Sequence, residues 1–141
     1  MAAYGFDEGS GASVGDASGN GNAGTVANGT WSAAGKFGQS LSFNGTSTKV
    51  TVADSTSLDL TTAMTLEAWV QPSVVSSAWR DILYKGNDAF YLEATSSNDG
   101  SPVGGGIIGS THAEALGTSA LPTGTWTYLA DAIENARVGL Q

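Results

Sequence analysis

The clearest pattern along the chain is the alternation of apolar and polar residues in residues 64–70, MTLEAWV. Alternation with a period of two is typical of a β-strand that buries one face and exposes the other. The even-numbered positions are apolar, and the segment is therefore predicted to turn the following residues toward a core: Met64, Leu66, Ala68 and Val70.

Other short segments have the same β-rich character and are separated by turn residues. Asn44-Gly45 follows one of them, and Lys85-Gly86-Asn87-Asp88 separates two others, as expected for hairpin turns. A helical period of 3.6 is weak and confined to residues 130–138. The pattern predicts an all-β fold, an antiparallel two-sheet sandwich or jelly roll, with these further strands: SLSF (40–43), KVTV (49–52), DILY (81–84), AFYLEA (89–94) and TWTYLA (125–130).

Composition narrows the function classes. The chain has 141 residues and no Pro-rich or charged linker, which predicts a single domain. Thirteen acidic and five basic residues give a net charge of −8, which disfavours nucleic acid and anionic membranes as ligands. No apolar run is long enough to insert into a membrane. The N-terminal residues do not form a signal peptide, and export is left open.

Five segments, in this order, carry a resemblance to bacterial laminin G-like domains of the concanavalin A-like type: AAYGFDEGSG, DASGNGNAGT, AGKFGQSLSFNG, SLDLTTAMTLEAWVQP and ALPTGTWTYLA. The resemblance covers residues 2 to about 130 and implies a two-sheet antiparallel jelly roll. It also implies a non-catalytic module of a secreted or cell-surface protein that binds carbohydrate or another extracellular ligand. Many such domains hold a structural calcium ion. One sandwich fold hosts many functions, so the resemblance does not name the ligand.

The chain departs from this family pattern after TWTYLA. Residues 133–138, IENARV, resemble the family's last strand, which implies that several strands are missing between about 130 and 133. We therefore expect a strand at Tyr4–Phe6 to pair with one at Ile133–Val138. Exposed edges and apolar faces would favour a homo-oligomer, most simply a dimer, with TWTYLA or its neighbours at the contact. The alternative is a monomer whose glycine-rich loops, such as residues 99–124, cover the gap.

The stretch DASGNGN (16–22) places oxygen-bearing side chains at every second position, as in the first half of an EF-hand-like calcium loop. Ala27 stands where an EF-hand has its bidentate glutamate, so a second carboxylate must come from elsewhere. The alternative is a surface turn whose side chains cap backbone N–H groups. The predicted calcium ligands are Asp16, Ser18, Asn20 and Asn22, with Asp7, Glu8 or Glu134 as the added carboxylate.

Carbohydrate sites combine an aromatic ring for stacking with polar groups for the sugar hydroxyls. Trp79 lies in a loop-like stretch beside Arg80, and Tyr91 lies one strand further along, next to the turn at Asn87 and Asp88. These five residues are the predicted ligand-binding residues, although packing of Trp79 under a loop has equal weight. The other tryptophans, at positions 31, 69 and 126, lie in β-rich segments and are predicted to be packed.

No enzyme signature has its required context, and the chain is predicted not to be an enzyme. His112, the single histidine, lies in a polar stretch that is typical of a solvent-facing loop. Glu67 and Glu93 stand alone on their strands, without the carboxylate cluster of concanavalin A-like glycosidases. The leading prediction is a non-catalytic binding module with a structural calcium site. The alternative is a structural, assembly or surface (including virion) decoration protein that associates through β-edges.

Overall fold

The computed structural model describes residues 1–108, 110–134 and 137–140, and only the backbone of residues 137 and 138. Within this part of the chain all regular structure is β, apart from one short 3₁₀ turn, η1 (Thr56–Leu58). Every strand pair is antiparallel. The chain divides into two compact units, Met1–Asp59 and Leu60–Gln141. The all-β prediction is therefore confirmed.

The first unit contains short strands. One sheet has the order β1-β2-β5, and a separate hairpin is formed by β3 and β4. Val14 and Val26 are its buried apolar residues. KVTV (49–52) forms β5 with the predicted bounds. The strands are β1 (Ser13–Val14), β2 (Gly24–Ala27), β3 (Thr30–Ser32), β4 (Ser40–Ser42) and β5 (Lys49–Val52).

The second unit is a sandwich of two antiparallel sheets. One sheet has the order β10-β9-β8-β7, and the other has the order β12-β11-β6. The strands are β6 (Ala63–Val70), β7 (Arg80–Lys85), β8 (Phe90–Thr95), β9 (Val103–Ile108), β10 (Thr111–Leu116), β11 (Thr127–Glu134) and β12 (Arg137–Leu140).

The core of the second unit lies between these sheets. Met64 and Leu66 of β6 are buried, and Ala68 and Val70 pack against the same cluster, which confirms the predicted face. From the opposite sheet, β8 supplies Leu92, which is fully buried. Other buried members are Leu121, Leu129 and Ile133.

The turn predicted between DILY and AFYLEA joins β7 to β8. Lys85 pairs with Phe90, and residues 86–89 form the turn. Asn87 and Asp88 have φ of 57° and 55°, the left-handed region that asparagine and aspartate tolerate. Two consecutive positive φ values match the right-handed twist of a hairpin.

Three predictions about the chain ends are wrong. Residues 4–6 belong to no strand, and Phe6 has a positive φ of 55°. Residues 133–138 do not form one strand, because β11 ends at Glu134 and β12, which pairs back onto it, begins at Arg137. Asn135 and Ala136 lie outside the described residues. The predicted pairing between the two segments is replaced by pairing of Ile133 with Met64 and Val138.

The structure bears on two predictions about the assembly surface. Residues 127–130 of TWTYLA lie in β11 and pair with β6, whereas in the described chain β12 pairs only with residues 131–134, so a contact between copies at TWTYLA stays a prediction. The glycine-rich stretch 99–124 is not a loop, since it contains β9 and β10. Strand β11 runs through residues 130–133 without a break, and the loss of family strands there stays a prediction.

Candidate functional site

The loop at residues 16–22 is organised by the carboxylate of Asp16. Its Oδ1 accepts hydrogen bonds from the backbone N–H groups of Ala3 and Ser18, both at 2.9 Å, and its Oδ2 accepts one from Asn22 at 2.9 Å. The Ser18 hydroxyl, together with these backbone hydrogen bonds, holds the pKa of Asp16 well below its usual range, because these groups stabilise the ionised form. Asp16 thus fills the role of the predicted alternative, a side chain that caps backbone N–H groups.

The other polar side chains of this loop converge on the carbonyl oxygen of Met1. Ser18 Oγ donates to it at 3.0 Å, and the amide nitrogens of Asn20 and Asn22 donate at 2.9 and 3.1 Å. Asn22, which is buried, also hydrogen-bonds the hydroxyl of Ser57. The loop therefore holds the N-terminal segment of its own unit through hydrogen bonds.

The oxygen atoms of this loop are of the kind that calcium binds, but within residues 16–22 only Asp16 supplies a carboxylate. The carbonyl, hydroxyl and side-chain amide groups are hard oxygen donors of the kind calcium takes, once the asparagine amides rotate their oxygens inward. Asp7 and Glu8 line a shallow groove together with Asp16, but their carboxylates accept the backbone N–H groups of Gln39 and Gly15. Among the described residues, no three of His, Cys, Asp and Glu lie close enough together to hold a metal ion. Glu134 is an exposed residue of β11 in the other unit.

The predicted ligand-binding residues fall at two ends of strand β7. Trp79 and Arg80 lie at its start, and both are exposed, Trp79 by 55%. Asn87 and Asp88 lie in the turn that follows its end. At about 3.3 Å per residue the two groups are roughly 20 Å apart. They therefore do not form one small binding site.

Tyr91 lies near the start of β8, close to the turn, and forms the centre of a polar cluster. Its hydroxyl lies 3.0 Å from His112 Nε2 and donates to Glu114 Oε2, also at 3.0 Å. The ring is only 6% exposed, and so it does not offer a face on which a sugar can stack. His112 and Glu114 are exposed. The buried tyrosine thus anchors two exposed polar side chains.

Strand register explains this cluster. Tyr91 of β8 is opposite Gly105 of β9, and Gly105 is opposite Glu114 of β10. A side chain at position 105 would place its Cβ 2.7 Å from the Tyr91 hydroxyl, so glycine leaves the space through which the tyrosine reaches the far strand. His112 and Glu114 are two residues apart and share one strand face.

The neighbouring carboxylates make this face of the sheet acidic. Glu93 is buried, and burial together with the charge of Asp81, opposite it in register, raises the pKa of Glu93 to about 7. Asp88 and Glu114 act on Glu93 in the same direction. Burial and the hydrogen bond to Glu114 also raise the pKa of Tyr91, which keeps the hydroxyl protonated as a donor.

His112 and Glu114 were missed by sequence reasoning, which placed His112 in a loop. The sequence did contain a signal, because THAEAL (111–116) alternates and its residues 112, 114 and 116 share a face. Glutamate and alanine have low β-propensity, and the adjacent GGG run resembles a loop. Among the predicted residues the structure brings Tyr91 and Asp88 near this cluster, and it leaves Trp79 and Arg80 at the far end of β7.

Comparison with known proteins agrees with this fold. The family model Laminin_G_3, of the concanavalin A-like lectin/glucanases superfamily, matches residues 44–138. This match spans more than half of the chain, and the chain belongs to that family. No curated protein and no solved structure matches the chain. Within the described residues there is no helix long and apolar enough to cross a membrane.

Proposed function

We propose that this chain is a non-catalytic binding module of a secreted or cell-surface protein and that its ligand is a carbohydrate. The observation that carries the proposal is the cluster in which buried Tyr91 fixes exposed His112 and Glu114 on one strand. Because the Tyr91 hydroxyl donates to Glu114, His112 Nε2 donates to Tyr91, and the other imidazole nitrogen and the Glu114 carboxylate are suited to accept hydrogen bonds from sugar hydroxyls. Laminin G-like domains are typically extracellular, which supports a secreted or cell-surface location.

Preorganisation supports this site over the other exposed polar groups. Tyr91 is buried and hydrogen-bonds both side chains, so His112 and Glu114 are already positioned and lose little conformational entropy when a ligand binds. Asp88 lies in the adjoining hairpin turn and extends the polar surface. Exposed Ile107, opposite His112 in register, offers an apolar contact for the carbon face of a sugar.

A glycan array followed by calorimetry tests the proposal. The array identifies a bound glycan, and the affinity is then compared for the wild type, Glu114→Gln and Tyr91→Phe. Removing one hydrogen bond to a charged group is expected to weaken binding about tenfold. Trp79→Ala tests the alternative aromatic site at the other end of β7. Loss of binding in Trp79→Ala with full affinity in Glu114→Gln would move the site to the start of that strand.

Calcium binding at residues 16–22 is the second part of the proposal. The oxygen donors gathered around the Met1 carbonyl support it, with Asp16, Ser18, Asn20 and Asn22 as the residues that would hold the ion. A bound calcium ion would tie the N-terminal segment to the loop. The residues themselves order the loop through the Asp16 hydrogen bonds.

The long sheet edges favour a second candidate function, assembly into a homo-oligomer, as in a structural or decoration protein. In the described chain β6 and β12 are the edges of one sheet, and β7 and β10 are the edges of the other. Strand β6 has eight residues, and an exposed edge strand offers unpaired backbone groups to another chain. Sedimentation at micromolar concentration tests this candidate: a 14.2 kDa species without self-association contradicts it.

A further inference from the structure

The outer face of the β6–β11 sheet carries an exposed aromatic corner that lies outside the proposed carbohydrate site. Trp69 and Tyr128 are directly opposite each other in register, with ring centroids 5.4 Å apart and an interplanar angle of 46°. They are 39% and 43% exposed. Glu67 lies on the same face of β6, and its Oε2 accepts a hydrogen bond from the Tyr128 hydroxyl at 2.6 Å.

We propose that this corner binds a cationic side chain, an arginine or lysine of a basic peptide segment. The faces of tryptophan and tyrosine rings carry negative quadrupole charge and attract cations within about 6 Å of the ring centre. The carboxylate of Glu67 adds a full negative charge beside the two rings. An aromatic pair with an adjacent carboxylate therefore matches the chemistry of a guanidinium or ammonium group.

The angle between the rings favours a cation over a sugar. Stacking of a pyranose needs one flat platform, and two rings tilted by 46° do not provide one. The hydrogen bond from Tyr128 to Glu67 fixes the position of the carboxylate and raises the pKa of Tyr128, so the phenol stays protonated.

Charge on and around this face favours the same partner. Neither β6 nor β11 contains a lysine or an arginine, and Arg137 of β12 is in register with Glu134, at the other end of β11 from Tyr128. The chain as a whole has a net charge of −8, which attracts a basic segment and repels an acidic one. The surface between these residues is formed by small side chains, Thr65, Ala130 and Ala132, over which an extended peptide can lie.

A matched pair of capped peptides tests the inference through the indole N–H signal of Trp69 in a ¹H–¹⁵N spectrum, assigned with Trp69→Phe. Gly-Arg-Gly is expected to shift this signal saturably, and Gly-Gln-Gly is expected to leave it unchanged. Glu67→Gln and Tyr128→Ala should each weaken binding of Gly-Arg-Gly by about 3- to 30-fold, the range of an exposed to a desolvated cation–π contact. Glu134→Gln removes the same charge roughly 20 Å along the strand and should change the affinity less than about twofold.

Four results would overturn the inference. They are an equal shift with Gly-Gln-Gly, an equal loss in Glu134→Gln and Glu67→Gln, no saturable shift with either peptide, and a shift caused only by a neutral sugar such as glucose. An equal loss in both glutamate variants would mean that net charge alone attracts the peptide. A shift caused only by glucose would mean that the two rings bind a sugar and not a cation. Because these variants lie on the outer face of β6 and β11, the outcome is separate from that of Glu114→Gln on β10.

Discussion

Asp131 is fully buried in β11, and its carboxyl group lies against Gly104 of β9. A Cβ atom at position 104 would stand 2.4 Å from Asp131 Cγ, so only glycine fits opposite this side chain. Both carboxylate oxygens of Asp131 are buried without a hydrogen-bond partner in the described structure. Burial alone raises the pKa of Asp131 to about 6. The sandwich of the second unit therefore contains an uncompensated acidic group in its core.

The first prediction is that the protein loses stability as the pH rises from about 4 to about 7. The folded state binds the Asp131 proton more tightly than the unfolded state, whose pKa is 3.8. The stabilisation is fully present below pH 3.8 and is lost as the pH passes 6. Glu93, with its pKa raised from 4.5 to about 7, acts in the same direction.

Urea unfolding between pH 4 and pH 8 measures this effect. Asp131→Asn is expected to flatten the profile and to raise the free energy of unfolding at pH 7.5 by about 1–3 kcal/mol. Asp99→Asn is the matched control, because Asp99 is exposed and its positive φ suits asparagine equally well. An unchanged profile in Asp131→Asn would show that Asp131 is not the titrating group.

The second prediction concerns the close approach of the same two residues. Gly104→Ala is expected to destabilise the fold by about 1–3 kcal/mol, because the added methyl group overpacks the space filled by Asp131. The loss should be smaller by about 1 kcal/mol or more in an Asp131→Gly background, where the obstructing side chain is absent. A double-mutant cycle with no coupling would contradict the contact.

The third prediction tests the core between the sheets. Leu92→Ala should lower the free energy of unfolding by about 2–5 kcal/mol, since Leu92 is fully buried in the cluster with Leu66 and Ile133. Leu116→Ala removes the same atoms from a residue that is 48% exposed. It should change the free energy by about 0.5 kcal/mol or less. Similar losses in both variants would mean that the burial of Leu92 is misassigned.

The fourth prediction separates calcium binding from simple capping at residues 16–22. Melting in excess calcium should give a higher midpoint than melting in chelator, because the ion would bind the folded form. Asp16→Ala should lower the midpoint in both conditions and abolish the difference. Asn44→Ala, which removes a side-chain cap on the backbone N–H groups of residues 46–48 in the same unit, should keep the difference. Identical wild-type midpoints would mean that the loop binds no calcium and only hydrogen-bonds Met1 and Ala3.

The sequence predicts those parts of the fold that depend on local pattern. The face of β6, the bounds of β5 and the turn at Asn87 and Asp88 follow from alternation and turn chemistry, which act over a few residues. The prediction that Trp69 is packed is wrong in that the ring is 39% exposed, because its position places it on the outer face of the sheet. Alternation in MTLEAWV already assigns Trp69 to that face.

The candidate sites depend on register between distant segments, and this part could not be predicted from the sequence. Tyr91 meets Glu114 only because the glycine run of β9 pairs with both neighbouring strands. Glycine has low β-propensity, so the run gives no local sign of a strand. The side-chain bonding of Asp16 to Ala3 likewise depends on how the N-terminal segment folds back.

A backbone amide shift map, recorded during titration with the glycan that the array identifies, locates the binding site residue by residue. The shifts are expected to centre on His112 and Glu114 of β10, to extend to the turn at Asp88, and to weaken in Glu114→Gln. Shifts centred on Trp79 and Arg80, or glycan binding with unchanged affinity in Glu114→Gln, would contradict the proposed site. Absence of any bound glycan would contradict the proposed carbohydrate ligand itself.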